Sequence, residues 1–193
     1  MAIRPKVGAA QRVGIFIDVQ NMFYSAKYKY RGKLDYEKLL SLIQRDRQVI
    51  RALCYAVQTP EIDQTSFLKI LENMGFEIRI KDLKLRPDGT AKGDWDMGMA
   101  IDAMTLASKM DVAALVSGDG DFSALVELLK AQGVKVEVYA FRSNTAEELI
   151  KSASQFIPLD DGVILSGSMM IPGEDMDAAA AGARRRYAPR TTR

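Results

Sequence analysis

With 193 residues, 48% apolar and 27% charged, the chain is long enough for one domain with a substantial buried core. It has no histidine and a single cysteine, which excludes an internal disulfide, histidine acid–base chemistry, and zinc sites built on histidines or several thiolates. The net charge of +2 is unevenly placed: five of the 27 basic residues are arginines after residue 178, with no acid among them, so the rest of the chain is slightly acidic. MAIRPKVGAAQR lacks the apolar stretch of a signal peptide, and no run approaches membrane-spanning length, so the default expectation is a cytoplasmic location.

VGIFID (13–18) is a short apolar run ending in a carboxylate and reads as a central strand. VQNMFYSAKYKY carries apolar and aromatic groups at helical spacing, and LDYEKLLSLI (34–43) is a second helical stretch. QVIRALCYAV (48–57) reads as a strand, with Cys54 as a buried structural thiol. TPEIDQTSFLKILENMG reads as a helix with Thr59 as cap, Pro60 in the first position and Gly75 as stop. FEIRIKDL alternates like a strand, and KLRPDGTAKG is a basic turn region. DWDMGMAIDAMTLASKM (94–110) reads as a helix in which Gly98 costs about 1 kcal/mol relative to alanine. DVAALVS is a strand, DFSALVELLKAQG a helix ending on Gly133, VKVEVYAF a strand, TAEELIKSAS a short helix and QFIPLD the last strand.

This alternation implies a three-layer α/β/α domain around a central, mainly parallel sheet of five or six strands. No linker interrupts residues 1–160, which read as one domain. Residues 161–193 are rich in glycine, alanine, methionine and proline without sustained periodicity. They are expected to form a flexible C-terminal tail ending in an arginine-rich segment, although VILSG could add a short element.

LVSGDGDF (115–122) sets Asp119 and Asp121 directly after an apolar strand. In an open parallel sheet, ligands bind beyond the carboxyl ends of the strands, where strand order reverses. Asp18 ends the first strand. If the long 82–111 connection carries the chain to the other side of that strand, the order is 3-2-1-4-5, and Asp18, Asp119 and Asp121 converge on one crevice. Asp94, Asp96 and Asp102 interrupt the apolar pattern of the preceding helix. Asp94 reads as an N-cap, and Asp96 as a first-turn charge or a ligand in the crevice. At 100° per residue Asp102 lies about 240° around the axis from Asp96, so the two cannot share a narrow face. Asp102 reads either as a site ligand or as the partner of a lysine or arginine.

Converging carboxylates need a countercharge. Without histidine or thiolate, the natural one is a hard cation, Mg²⁺ or Mn²⁺, which suits phosphoryl chemistry. Asn21 and Ser117 stand near Asp18 and Asp119 in sequence and could bind a metal water or a phosphate oxygen; Asn21 could equally cap the following helix.

FIDVQN (16–21), KGDWDMGMAIDAM (92–104) and SGDGDF (117–122) together resemble the NYN domain family in its LabA-like branch, which is similar to PIN-domain and FLAP-type nucleases. The resemblance spans about residues 12–160. It implies a PIN-like sheet, a divalent metal and ribonuclease activity. The family's first-strand aspartate and asparagine fall on Asp18 and Asn21, its central helix aspartates on Asp96 and Asp102, and those after the fourth strand on Asp119 and Asp121.

On this reading Asp18, Asp96 and Asp119 fix the ion, and Asp121 binds it directly or positions water. A metal-activated water then hydrolyses a phosphodiester and leaves a 5′-phosphate. The expected partner is single-stranded or locally unpaired RNA, because a slightly acidic body disfavours tight nonspecific duplex binding. Its contacts are expected from Lys27, Lys29, Arg31 and Lys33, interleaved with Tyr28 and Tyr30, and from Lys84, Arg86 and Lys92 of the basic turn. No membrane and no nucleotide cofactor is expected: DVQNMF after the first strand has neither a glycine fingerprint nor a D-x-D motif. A second copy of the chain remains open as a partner. The competing function is a non-catalytic, metal- and RNA-binding regulatory module of the same fold, in which the acids only hold an ion or order the loops.

Overall fold

The computed structural model describes residues 10–58, 63–82 and 95–165, together with the backbone of 84–85 and 91–92. In chain order the elements are β1 (Arg12–Asp18), α1 (Val19–Tyr30), α2 (Tyr36–Gln44), β2 (Gln48–Gln58), α3 (Thr65–Asn73) and β3 (Glu77–Asp82). The short strands β4 (Lys84–Leu85) and β5 (Ala91–Lys92) follow. Then come α4 (Asp96–Leu106), β6 (Val112–Val116), α5 (Ser123–Ala131), β7 (Lys135–Ala140), α6 (Glu147–Ser152) and β8 (Gln155–Pro158).

The main sheet has six strands in the order β3-β2-β1-β6-β7-β8. All its pairings are parallel. The basic turn folds back on itself as the antiparallel β4–β5 pair, with Lys84 opposite Lys92. Leaving that pair aside, the order starts 3-2-1-4-5, as the sequence implies, and QFIPLD supplies the sixth strand at the edge.

Strand alternation divides the core. Val13, Ile15 and Ile17 point into one layer with Met22 and Ala26 of α1, Leu39 and Ile43 of α2, and Leu68 and Leu71 of α3. Phe16 points into the other with Met99, Ala103 and Leu106 of α4, Leu125, Val126 and Leu129 of α5, and Leu149 of α6. All five residues of β6 are buried, each large side chain contributing about 1.5–3 kcal/mol. Two covered faces explain why β6 reads as a continuous apolar run rather than an alternating one.

The starts of α3 and α4 differ from the sequence reading. α3 begins at Thr65, whose N–H donates to Asp63 Oδ1 at 2.9 Å. Thr59 and Pro60, the expected cap and first position, lie outside the described residues. α4 begins at Asp96 and ends at Leu106, followed by a 3₁₀ turn over Ala107–Lys109. Gly98 also has a packing reason that propensity does not show: a Cβ there would sit 2.5 Å from a ring carbon of Trp95. Among the described residues, no helix is long and apolar enough to cross a membrane.

The chain keeps contact with the body beyond residue 160. Ile164 bridges Leu34 in antiparallel fashion. Asp35 N–H donates to Val163 O at 2.8 Å, Leu165 N–H donates to Lys33 O at 2.9 Å, and Val163 and Ile164 are buried. Truncation after Asp160 removes these contacts and is expected to lower stability by roughly 2–4 kcal/mol. Truncation after Leu165 spares them and should leave the unfolding midpoint near that of the full chain. Thermal unfolding of both shortened chains beside the full chain checks this. Residues 166–193, with the arginine-rich segment, lie outside the described residues.

Candidate metal centre

Because Ile17 pairs with Val116, the next residues, Asp18 and Ser117, leave the sheet side by side at its carboxyl edge. Four hydrogen bonds then fix the local geometry. Asp18 caps α1, its Oδ1 accepting the Asn21 N–H at 3.0 Å. The fully buried Ser117 hydroxyl donates to Asp18 Oδ2 at 3.4 Å and accepts the Asp119 N–H at 3.2 Å. Asp119 in turn caps a 3₁₀ turn over Gly120–Phe122, its Oδ1 accepting the Asp121 N–H at 3.1 Å.

Buried Asn21 ties the two strand exits together: its side-chain carbonyl accepts the Gly118 N–H at 3.0 Å. The structure therefore gives the capping role to Asp18 and makes Asn21 a cross-link between α1 and the loop after β6. Gly118 also runs close to the Asn144 backbone, where a Cβ would lie 2.3 Å from the carbonyl oxygen. Gly118→Ala is expected to cost about 1–3 kcal/mol and to weaken Mn²⁺ binding by displacing Asp119 and Asp121. Thermal unfolding and a Mn²⁺ titration of the same preparation measure both effects.

Asp96 reaches this edge from the first turn of α4. Trp95, the residue before it, anchors that helix start. Its indole N–H donates to Ala56 O at 2.9 Å, its ring lies 5.5 Å from Tyr55, and Lys81 Nζ sits 4.6 Å over it. Asp96, Asp119 and Asp121 each present a carboxylate oxygen, and these atoms all lie within 4.8 Å of one another. Asp96 and Asp119 are half-buried, while Asp121 is exposed.

Asp18 stands beside this trio. Burial, reinforced by the charges of Asp96 and Asp119, pushes its carboxyl up to about 7, against the opposing hydrogen bonds from Asn21 and Ser117. The first turns of α1 and α4 and the turn leading into α5 all start here. Their N-terminal dipoles offset part of the accumulated negative charge.

The donor set fits a hard divalent ion. It is all oxygen, and small side-chain rotations bring such oxygens to the separations of about 3–4 Å found around Mg²⁺ or Mn²⁺.

Asp102 is not in this cluster. It accepts the Tyr55 hydroxyl at 2.9 Å and pairs with Arg79 Nε at 3.3 Å, so it fastens α4 to β2 and β3. Arg79 and Tyr55 lie in no motif that marks them in the sequence as neighbours of the crevice. The position of Trp95 between Asp94 and Asp96 is the one local hint. Asp94 lies outside the described residues, as does Arg86. Lys27 is half-buried with Nζ 5.9 Å over the Phe23 ring, and exposed Lys29 has Nζ 5.1 Å over Tyr30. Arg31 is exposed at the C-cap of α1 in a left-handed conformation (φ 51°), and Lys33 is half-buried. Of Lys84 and Lys92 the structure describes only the strand pairing.

A parallel α/β/α sheet with an acidic crevice at the carboxyl ends of its two central strands is the architecture of the PIN-like class. The NYN domain profile matches residues 12–160, and the chain belongs to that family, in the LabA-like branch related to PIN-domain nucleases. Its relatives include the low amplitude and bright protein LabA of Synechococcus elongatus. That protein is 30% identical over 169 residues, covering 83% of this chain and 88% of its own. A crystallised protein of unknown function from Vibrio parahaemolyticus is 37% identical and superposes with a TM-score of 0.77, over 83% of this chain and 99% of that one.

Proposed function

We propose that the protein is a divalent-metal-dependent ribonuclease that hydrolyses phosphodiester bonds of single-stranded or locally unpaired RNA. The observation that carries the reading is the convergence of Asp96, Asp119 and Asp121 within 4.8 Å, in a chain without histidine. A protein that only gripped phosphate would gain nothing from negative charge gathered in its groove. These three carboxylates would hold Mg²⁺ or Mn²⁺, which would supply Lewis acidity to lower the pKa of a water and offset charge on the departing oxygen. Asp18 completes the set from the strand side, positioned to hold a water. Ser117 and Asn21 keep the loop after β6 in register with β1. The reading of residues 1–160 as one domain is part of the same proposal, to which the contacts of Val163–Leu165 add a short extension.

The test is incubation of purified protein with end-labelled single- and double-stranded RNA and DNA, with Mn²⁺, Mg²⁺ or chelator. The expected result is metal-dependent cleavage of single-stranded RNA with 5′-phosphate ends. Cleavage that persists in chelator would count against the reading. Tight RNA binding by folded protein with no cleavage of any substrate would assign the regulatory role instead.

A further inference from the structure

Among the described residues, one face of α1 is turned away from the sheet. Val19, Asn21, Met22, Ser25 and Ala26 are buried against the sheet. On the opposite side Gln20, Tyr24, Lys27 and Tyr28 recur at i, i+4, i+7 and i+8, which is a single stripe along a helix, with Arg31 following at the C-cap. Two aromatic rings occupy its middle. Tyr24 and Tyr28 are stacked, with centroids 6.0 Å apart and planes inclined by 14°. Phe23 buttresses Tyr24 edge-on at 5.4 Å and 77°, and Tyr28 remains 50% exposed. A held, near-parallel tyrosine pair with its outer member half open has already lost much of its rotamer freedom. That is the condition under which a flat partner binds at low entropic cost. Two cations lie close by in the chain: Lys27, with Nζ 5.9 Å over the Phe23 ring, and exposed Arg31 at the C-cap.

We infer that the Tyr24–Tyr28 pair is a base-stacking platform for single-stranded RNA whose backbone runs along α1 into the Asp96–Asp119–Asp121 crevice. Continuity supports the path: the stripe begins two residues after Asp18, the N-cap of α1 beside the crevice. Ten residues of helix place Tyr28 about 15 Å from Asp18, a span that about four stacked nucleotides cover at about 3.4 Å each. Charge complementarity supports the occupant: basic groups between the aromatic rings suit phosphates between bases. Every base has a π-face, so the platform selects unpaired strands over duplex without reading sequence. The inference rests on the RNA reading above, but its readout is binding rather than turnover.

The experiment is fluorescence anisotropy of a short end-labelled single-stranded RNA in EDTA at fixed salt. Its arms are the same strand with abasic sites, the same strand as DNA, and the duplex. Tyr28→Leu is expected to weaken binding to the normal strand about tenfold, with little change on the abasic strand. Tyr28→Phe, which keeps the ring, should stay close to wild type. The DNA strand should show the same dependence on Tyr28, because the ring meets the base and not the sugar. Equal losses on normal and abasic strands would mean that Tyr28 contributes something other than stacking and would overturn the inference. So would an unaltered affinity in Tyr28→Leu, or wild-type protein that binds no single strand. A protein with the Tyr28 dependence but no cleavage in Mn²⁺ would sink the ribonuclease reading and leave the platform standing. Cleavage by a protein indifferent to Tyr28→Leu would sink the platform alone.

Discussion

Asp119→Asn is expected to reduce RNA cleavage by at least about a hundredfold and to weaken Mn²⁺ binding to a similar degree, while the domain stays folded. The substitution removes one of the three charges that converge within 4.8 Å. It keeps the shape of the cap, because an asparagine carbonyl can still accept the Asp121 N–H that Asp119 Oδ1 now takes at 3.1 Å. Asp96→Asn should behave alike for the metal, since Asp96 presents another of the three converging carboxylates from the first turn of α4. Mn²⁺ titration calorimetry, initial cleavage rates and a thermal melt on each variant separate the two contributions. A melt lowered as far as by a core cavity, with cleavage lost in proportion, would make Asp119 a structural residue.

Asp18→Asn is expected to raise the stability of the metal-free protein at alkaline pH, by an amount that vanishes in acid. The folded-state carboxyl is pushed up to about 7, chiefly by burial and then by Asp96 and Asp119, from an ordinary value of 3.8. A group whose folded pKa is raised binds its proton more tightly in the native state. Its favourable contribution is therefore complete below about pH 4, declines as the pH rises, and is lost above about pH 7. The ionised Asp18 then carries a penalty of roughly 2–4 kcal/mol. An asparagine carries no charge; its one carbonyl oxygen can keep the Asn21 N–H, and its NH₂ can donate to the Ser117 hydroxyl oxygen. Unfolding midpoints of both proteins in EDTA should coincide near pH 4 and separate by several degrees at pH 8. Saturating Mn²⁺ should close that gap by supplying the missing positive charge. If Asp18→Asn is no more stable than wild type at pH 8, the crevice is better solvated than its burial implies.

These two aspartates also show how far a linear reading reaches. The strands were legible because apolar runs and turn residues are local signals. In a parallel sheet the residue after every strand lands on the same edge, so Asp18, Asp119 and Asp121 could be brought together from topology alone. Asp96 stood open in the sequence between a first-turn charge and a ligand, and the fold brings its carboxylate to Asp119 and Asp121. The absence of histidine, a matter of composition, restricted the ligand to a cation that accepts oxygen donors.

Tertiary structure decided what depends on partners far along the chain. Asp102, open in the sequence between ligand and ion-pair partner, is taken by Tyr55 and Arg79. Asn21, open between cap and phosphate contact, is spent on Gly118, 97 residues away. Glu137 looks like an ordinary strand residue, yet it is buried and held by Arg47 Nη1 at 2.8 Å across 90 positions. The return of residues 161–165 to the loop after α1 and the seating of Trp95 over Gly98 are of the same kind. Periodicity determines which face a side chain is on. Which distant group meets it there depends on how the helices settle on the sheet, and no local pattern encodes that.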